Sequence, residues 1–188
     1  INATNLNYKW SSLSVQVSNR HTGIGSDGLI LLLNTEVADI KMTMFNADGS
    51  EGKMCGNGIR CLVKFAMDED VIPKNNNSVT VETLSGILSV KPIFENNIMI
   101  KAKVSMGEPI LNPKDIPINI DNTQFVSSYP MKINDYNFKL AFVSMGNPHA
   151  VAILEEPIEK IPLEIIGPIV ENQNIFLERI NFEIVNII

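Results

Sequence analysis

Apolar and polar positions along this chain follow two different periods. From Ile59, apolar side chains recur at Leu62, Val63 and Ala66, the i, i+3, i+4, i+7 spacing of one helix face. Arg60, Lys64 and Asp68 form a polar stripe beside it, and Cys61, Phe65 and Met67 are expected to widen the apolar face. This pattern predicts a largely buried helix that fades near Val71-Ile72-Pro73. Trp10, Leu13 and Val17 predict a shorter helix ended by Asn19-Arg20. Apolar runs over residues 29–33 and 41–45 read as strands, and Val79, Val81 and Thr83 share one strand face. Residues 87–94 and 98–104 flank Glu95-Asn96-Asn97 as a hairpin.

After Met106-Gly107-Glu108-Pro109 the texture changes. Proline recurs at Pro113 and Pro117, and residues 116–124 show no helical period. Two domains are therefore expected, residues 1–105 and 106–188. In the second, residues 138–145 and 150–154 read as strands on either side of a Gly146-Asn147-Pro148-His149 turn. Residues 157–174 read as loop with one helical turn near 163–167, and residues 182–188 as a last strand. The chain begins at Ile1 without methionine and stops in that apolar run, so it is expected to be a piece of a longer polypeptide.

Composition narrows the function. The chain has 188 residues, 45% hydrophobic and 19% charged, enough for a real core. A net charge of −6 with no basic run gives nothing to hold nucleic acid or an anionic membrane. No apolar run approaches the ~20 residues of a membrane-spanning helix. Two cysteines six apart suit a reducing compartment. On one helix they would lie about 9 Å apart, too far for a disulfide. With His21 and His149 they lack zinc-ligand spacing.

The chemistry concentrates where a polar, glycine-punctuated loop meets the long helix. Cys55 stands just before its first turn, where the N–H groups of Gly56, Asn57 and Gly58 lack intrahelical partners. Such an end favours negative charge, whether a sulfur anion or a ligand carboxylate. Gly56 and Gly58 let a ligand approach the backbone. Taken alone, a cysteine such as Cys55 is more often a small buried hydrophobe than a nucleophile or base, and the glycines alone could be a turn. Cys61, inside the helix beside Leu62, reads as core.

Residues 45–61, FNADGSEGKMCGNGIRC, resemble the first active-site signature of the diaminopimelate epimerase family. RHTGIGSDG at 20–28, VSMGNPHAV at 143–151 and LERIN at 177–181 resemble further segments of that family in the right order. The resemblance implies an α/β fold of two pseudo-symmetric domains. Each is a mostly antiparallel sheet wrapped around a central helix, and the second is incomplete here. It implies a cytoplasmic isomerase of lysine and peptidoglycan-precursor biosynthesis, independent of any cofactor or metal, that epimerises LL-2,6-diaminopimelate to the meso form with two thiols.

By the resemblance, Cys55 is a catalytic cysteine and His149 the histidine that serves its proton. Gly56 and Asn57 hold a substrate carboxylate, and Asn46, Asn147, Asn181, Glu178 and Arg179 contact substrate. On their own chemistry, Asn46 is also a turn residue, His149 a turn histidine, and Glu178 and Arg179 a solvated charge pair. The partner implied is a small molecule, with no nucleic acid or membrane; a homodimer is a possible assembly. Three departures stand out. Residues 1–10 do not match the family's opening substrate segment, and Gly28 replaces a glutamine found in some members. The family's second cysteine run, with the glutamate before it, is absent, so these 188 residues alone are expected to be inactive. The alternatives are another two-cysteine racemase of this fold, of proline or hydroxyproline type, and a non-catalytic domain.

Overall fold

The computed structural model describes residues 1–121 and 125–187 and forms two compact units, Ile1–Met106 and Gly107–Ile188. In the first, α1 (Trp10–Ser18), β1 (Gly28–Leu33), β2 (Ile40–Asn46), β3 (Glu51–Gly52), α2 (Gly56–Asp68), β4 (Val79–Thr83), β5 (Gly86–Glu95) and β6 (Ile98–Val104) follow in order. The sheet runs β1-β2-β4-β5-β6, with the short β3 against β2. All its pairs are antiparallel except β2–β4, because α2 intervenes and carries the chain across.

The run GLILLL in β1 is continuously apolar because both its faces are covered. Leu29 and Leu31 pack with Trp10 and Leu13 of α1. Leu32 and Ile30 join the main core, where Ile59, Leu62, Val63, Ala66 and Met67 of α2 meet Ile40, Met42, Val79, Val81 and Val90. Alternate burial of Val79, Val81 and Thr83 follows the expected strand face. α1 departs from expectation: its fully buried residues are Ser14 and Ser18, while Trp10, Leu13 and Val17 are only half-buried.

The second unit contains β7 (Tyr129–Ile133), β8 (Tyr136–Ser144), β9 (Pro148–Leu154), a 3₁₀ turn (Ile158–Lys160), α3 (Leu163–Glu171) and β10 (Asn181–Asn186). Its sheet runs β10-β9-β8-β7, parallel only between β10 and β9. Leu140, Phe142, Ala150 and Ala152 form the core with Ile116, Ile166, Val170 and Phe176.

Several expectations are corrected here. β7 was not anticipated; Pro130 obscures it, and is tolerated because β7 lies at the sheet edge. The two-residue turn after it uses Asn134 at φ 53°. α3 is longer than one turn and passes through Pro168, because Ile166 and Val170, four apart, are both buried. β9 begins at Pro148, which places His149 in a strand opposite Val143 rather than in the turn. The last strand ends at Asn186; Ile188, and the Asn122-Thr123-Gln124 portion of the 116–124 stretch, lie outside the described residues.

The two units share a motif. Asn2 bridges Leu32 in parallel, and between them run a nine-residue helix and a nine-residue connection into the six-residue β1. In the second unit β9 leads to a nine-residue helix and a nine-residue connection into the six-residue β10, again parallel.

Candidate active site

α2 begins at Gly56, earlier than its apolar period announces, and Cys55 is its N-cap with extended backbone (φ −136°, ψ 112°). The Cys55 sulfur accepts the N–H of Gly58 at 3.3 Å. The cysteine thus fills the role usually taken by serine or aspartate at this position. It is half-buried. Because Gly58 donates to the sulfur, the first-turn donors left without intrahelical partners are Gly56 and Asn57. The helix dipole adds a partial positive charge at the same place.

The glycines serve distinct needs. A Cβ on Gly58 would come within 2.3 Å of Ile30 Cδ1 and 3.3 Å of the Cys55 sulfur, so this turn seats directly on β1. A Cβ on Gly56 would meet nothing within 4 Å, so that side of the helix end is open. Gly28 also lacks room, since a Cβ there would lie 2.4 Å from the Phe45 carbonyl.

Asn46 ends β2 and opens the loop to β3. Its side-chain amide donates to Ser50 Oγ at 3.0 Å, and the backbone N–H groups of Asn46 and Gly49 close the turn. One of the two buried serines of α1 holds this turn: Ser14 Oγ donates to the carbonyls of Asn46 (2.8 Å) and Phe45 (3.1 Å), while Ser11 Oγ donates to the Gly49 carbonyl (2.7 Å). Ser11 and Ser14 were missed by sequence reasoning. Their i, i+3 spacing on a helix otherwise read by its apolar positions was the available signal.

Asn57 is exposed, and its side-chain oxygen accepts from Arg60, which also donates to the Gly56 carbonyl. Asn57, Arg60, Cys61 and Lys64 line a groove against residues 99–102 of β6. Cys61 is exposed there, contrary to the core position expected. Two residues beyond Ile59, it stands about 200° around the helix from the buried face.

In the second unit the fold gathers Asn147, His149 and Asn181. β9 and β10 pair His149 directly with Asn181, whose amide donates to the Pro148 carbonyl at 3.0 Å. His149 Nε2 lies 3.1 Å from Asn147 Oδ1, and Nδ1 lies 2.6 Å from Glu183 Oε1. Glu183 was also missed; a lone carboxylate in the apolar run of β10 was its signal. Glu178 and Arg179 lie in the connection before β10, with Arg179 at φ 64° and its guanidinium 3.5 Å from Glu171. No helix among the described residues is long and apolar enough to cross a membrane.

The diaminopimelate epimerase family profile matches residues 2–112. Diaminopimelate epimerase of Acetivibrio thermocellus is 47% identical over 95% of this chain and 62% of its own. That of a Methanococcus maripaludis strain is 44% identical over 95% and 63%. The chain therefore spans about three fifths of the length of these relatives. A crystal structure of a probable proline racemase from Agrobacterium radiobacter superposes with a TM-score of 0.65 at 12% identity, over 87% of this chain and 48% of that one, a likeness of fold. With motif order, mixed two-sheet fold and profile in agreement, this chain belongs to the diaminopimelate epimerase family.

Proposed function

We propose that this chain supplies one face of a cofactor-independent active site that epimerises LL-2,6-diaminopimelate to the meso form, in the cytoplasm, for lysine and peptidoglycan-precursor synthesis. The observation that carries the reading is the Cys55 cap. A sulfur at a helix N-terminus adjoins two first-turn N–H groups and an open approach over Gly56. The substrate's α-carboxylate binds the N–H groups of Gly56 and Asn57, where the helix dipole favours it. The Cys55 thiolate takes the α-proton, forming S–H. The electron pair of the broken C–H bond delocalises onto that carboxylate, stabilised by preorganised donors.

His149 serves the thiol's proton, and Asn46, Asn147, Asn181, Glu178 and Arg179 are the further substrate contacts. Inversion also needs a donor on the opposite face. Cys61 is no candidate, since it lies on the same helix as Cys55, six residues and about 9 Å further along it. The second thiol is assigned to the part of the relatives that these 188 residues do not span.

The test is incubation with LL-diaminopimelate in D₂O, following deuterium and stereochemistry at the α-carbon. A form completed to the length of its relatives should produce deuterated meso isomer. Cys55→Ala should abolish this and Cys61→Ala should leave it unchanged. Turnover by Cys55→Ala would remove Cys55 from the mechanism. Meso product from the 188-residue chain alone would reveal a second base within it.

A further inference from the structure

We propose that Glu183 is the positioning residue of His149, holding its ring proton on Nδ1 so that Nε2 is the nitrogen available for proton transfer. The inference rests on the reading of His149 given above and extends it to a residue outside the recognised motifs. In β10 Phe182 and Ile184 pack on the core, and Glu183, the one carboxylate of the strand, stands between them on the opposite face. Parallel pairing sets Asn181 beside His149 and Glu183 beside Val151, so these four side chains share one sheet face. Glu183 reaches back along that face, its Oε1 accepting from His149 Nδ1 at 2.6 Å. A free neutral imidazole has no such constraint; a carboxylate at Nδ1 selects the tautomer protonated there.

The second carboxylate oxygen gives the independent observation. Glu183 Oε2 is buried and takes no hydrogen bond among the described residues. A buried acceptor without a partner is costly, and Glu183 bears that cost on the sheet face opposite the one that Phe182 and Ile184 pack on the core. The carboxylate is thus retained for what Oε1 does. On the far side of the ring, Asn147 stands 3.1 Å from Nε2. Its amide presents oxygen or NH₂ according to whether Nε2 bears a proton, so it tolerates both states of a nitrogen that gains and loses one.

The experiment uses ¹⁵N-histidine labelling of the 188-residue chain, in which only His21 and His149 give ring signals, with His149→Gln for assignment. At a pH where the ring is neutral, the proton should reside on Nδ1. Glu183→Ala should move it toward Nε2, whereas Glu183→Gln, which keeps an acceptor oxygen, should retain it on Nδ1. In the completed enzyme, Glu183→Ala should lower kcat about 10- to 100-fold, the size seen when a histidine loses its orienting partner at metal sites, with KM little changed. Glu183→Gln should recover most of that loss. A wild-type ring protonated on Nε2, or a tautomer indifferent to Glu183→Ala, overturns the proposal whatever the activity. Absence of epimerase activity in the wild type would overturn the reading of function and leave the ring measurement to decide Glu183.

Discussion

Two glycines two positions apart have different consequences at the Cys55 turn. Gly58→Ala would normally strengthen a helix by up to about 1 kcal/mol. Here the added methyl meets the end of the partly buried Ile30 side chain, which can turn aside, and stands 3.3 Å from the Cys55 Cβ and sulfur, which must give slightly. Tm should therefore move little in thermal unfolding, while the Cys55 sulfur is displaced. Gly56→Ala adds a methyl to open space and should change stability by less than about 0.5 kcal/mol. The same methyl covers the proposed carboxylate seat, so proton exchange should fall while Tm holds. If exchange survived Gly56→Ala, the substrate would approach elsewhere.

At the scale of elements, α1 exists to anchor a loop as much as to cover a sheet. Ser14→Ala removes a donor from two carbonyls at once and should cost about 1–3 kcal/mol. Amide exchange at residues 46–50 should quicken more than exchange in α2. β2 and β4 are tied by Lys41–Glu82, side by side in register, with the Thr35 hydroxyl also donating to Glu82. The hydrogen bonds from Lys41 and then Thr35 hold the Glu82 carboxyl below its ordinary range. A depressed carboxyl stabilises the fold above its unfolded pKa, and that contribution is lost as pH falls through the folded value. The Tm difference between wild type and Glu82→Gln should accordingly be largest near neutrality and close on acidification below the ordinary carboxylate range. A difference that did not vary with pH would assign it to packing.

Across the whole molecule, each unit has its own buried cluster, and each returns to a parallel strand after a nine-residue helix. Ile59→Ala in the first unit and Leu140→Ala in the second remove fully buried side chains, and each should cost about 2–5 kcal/mol. Hydrogen exchange should show lost protection confined to the unit carrying the substitution, as expected of two domains. Loss spread through both units from either change would mean that they fold as one.

Local pattern alone determined α2, the strands of residues 79–104 and the turn that carries Cys55, because each is written in neighbouring residues: a 3.6-residue period, an alternation, or glycines before a helix. The family was legible for the same reason, through contiguous motifs. Tertiary structure alone decided that Ser14 and Ser18, rather than Trp10, Leu13 and Val17, are the fully buried residues of α1. It also decided the continuation of α3 through Pro168, where burial of Ile166 and Val170 outweighs a lost hydrogen bond. The supports of the site came from the same source. Ser14 lies 32 residues before Asn46 and Glu183 lies 34 after His149, and only strand pairing and helix packing bring such distant positions into hydrogen-bond range.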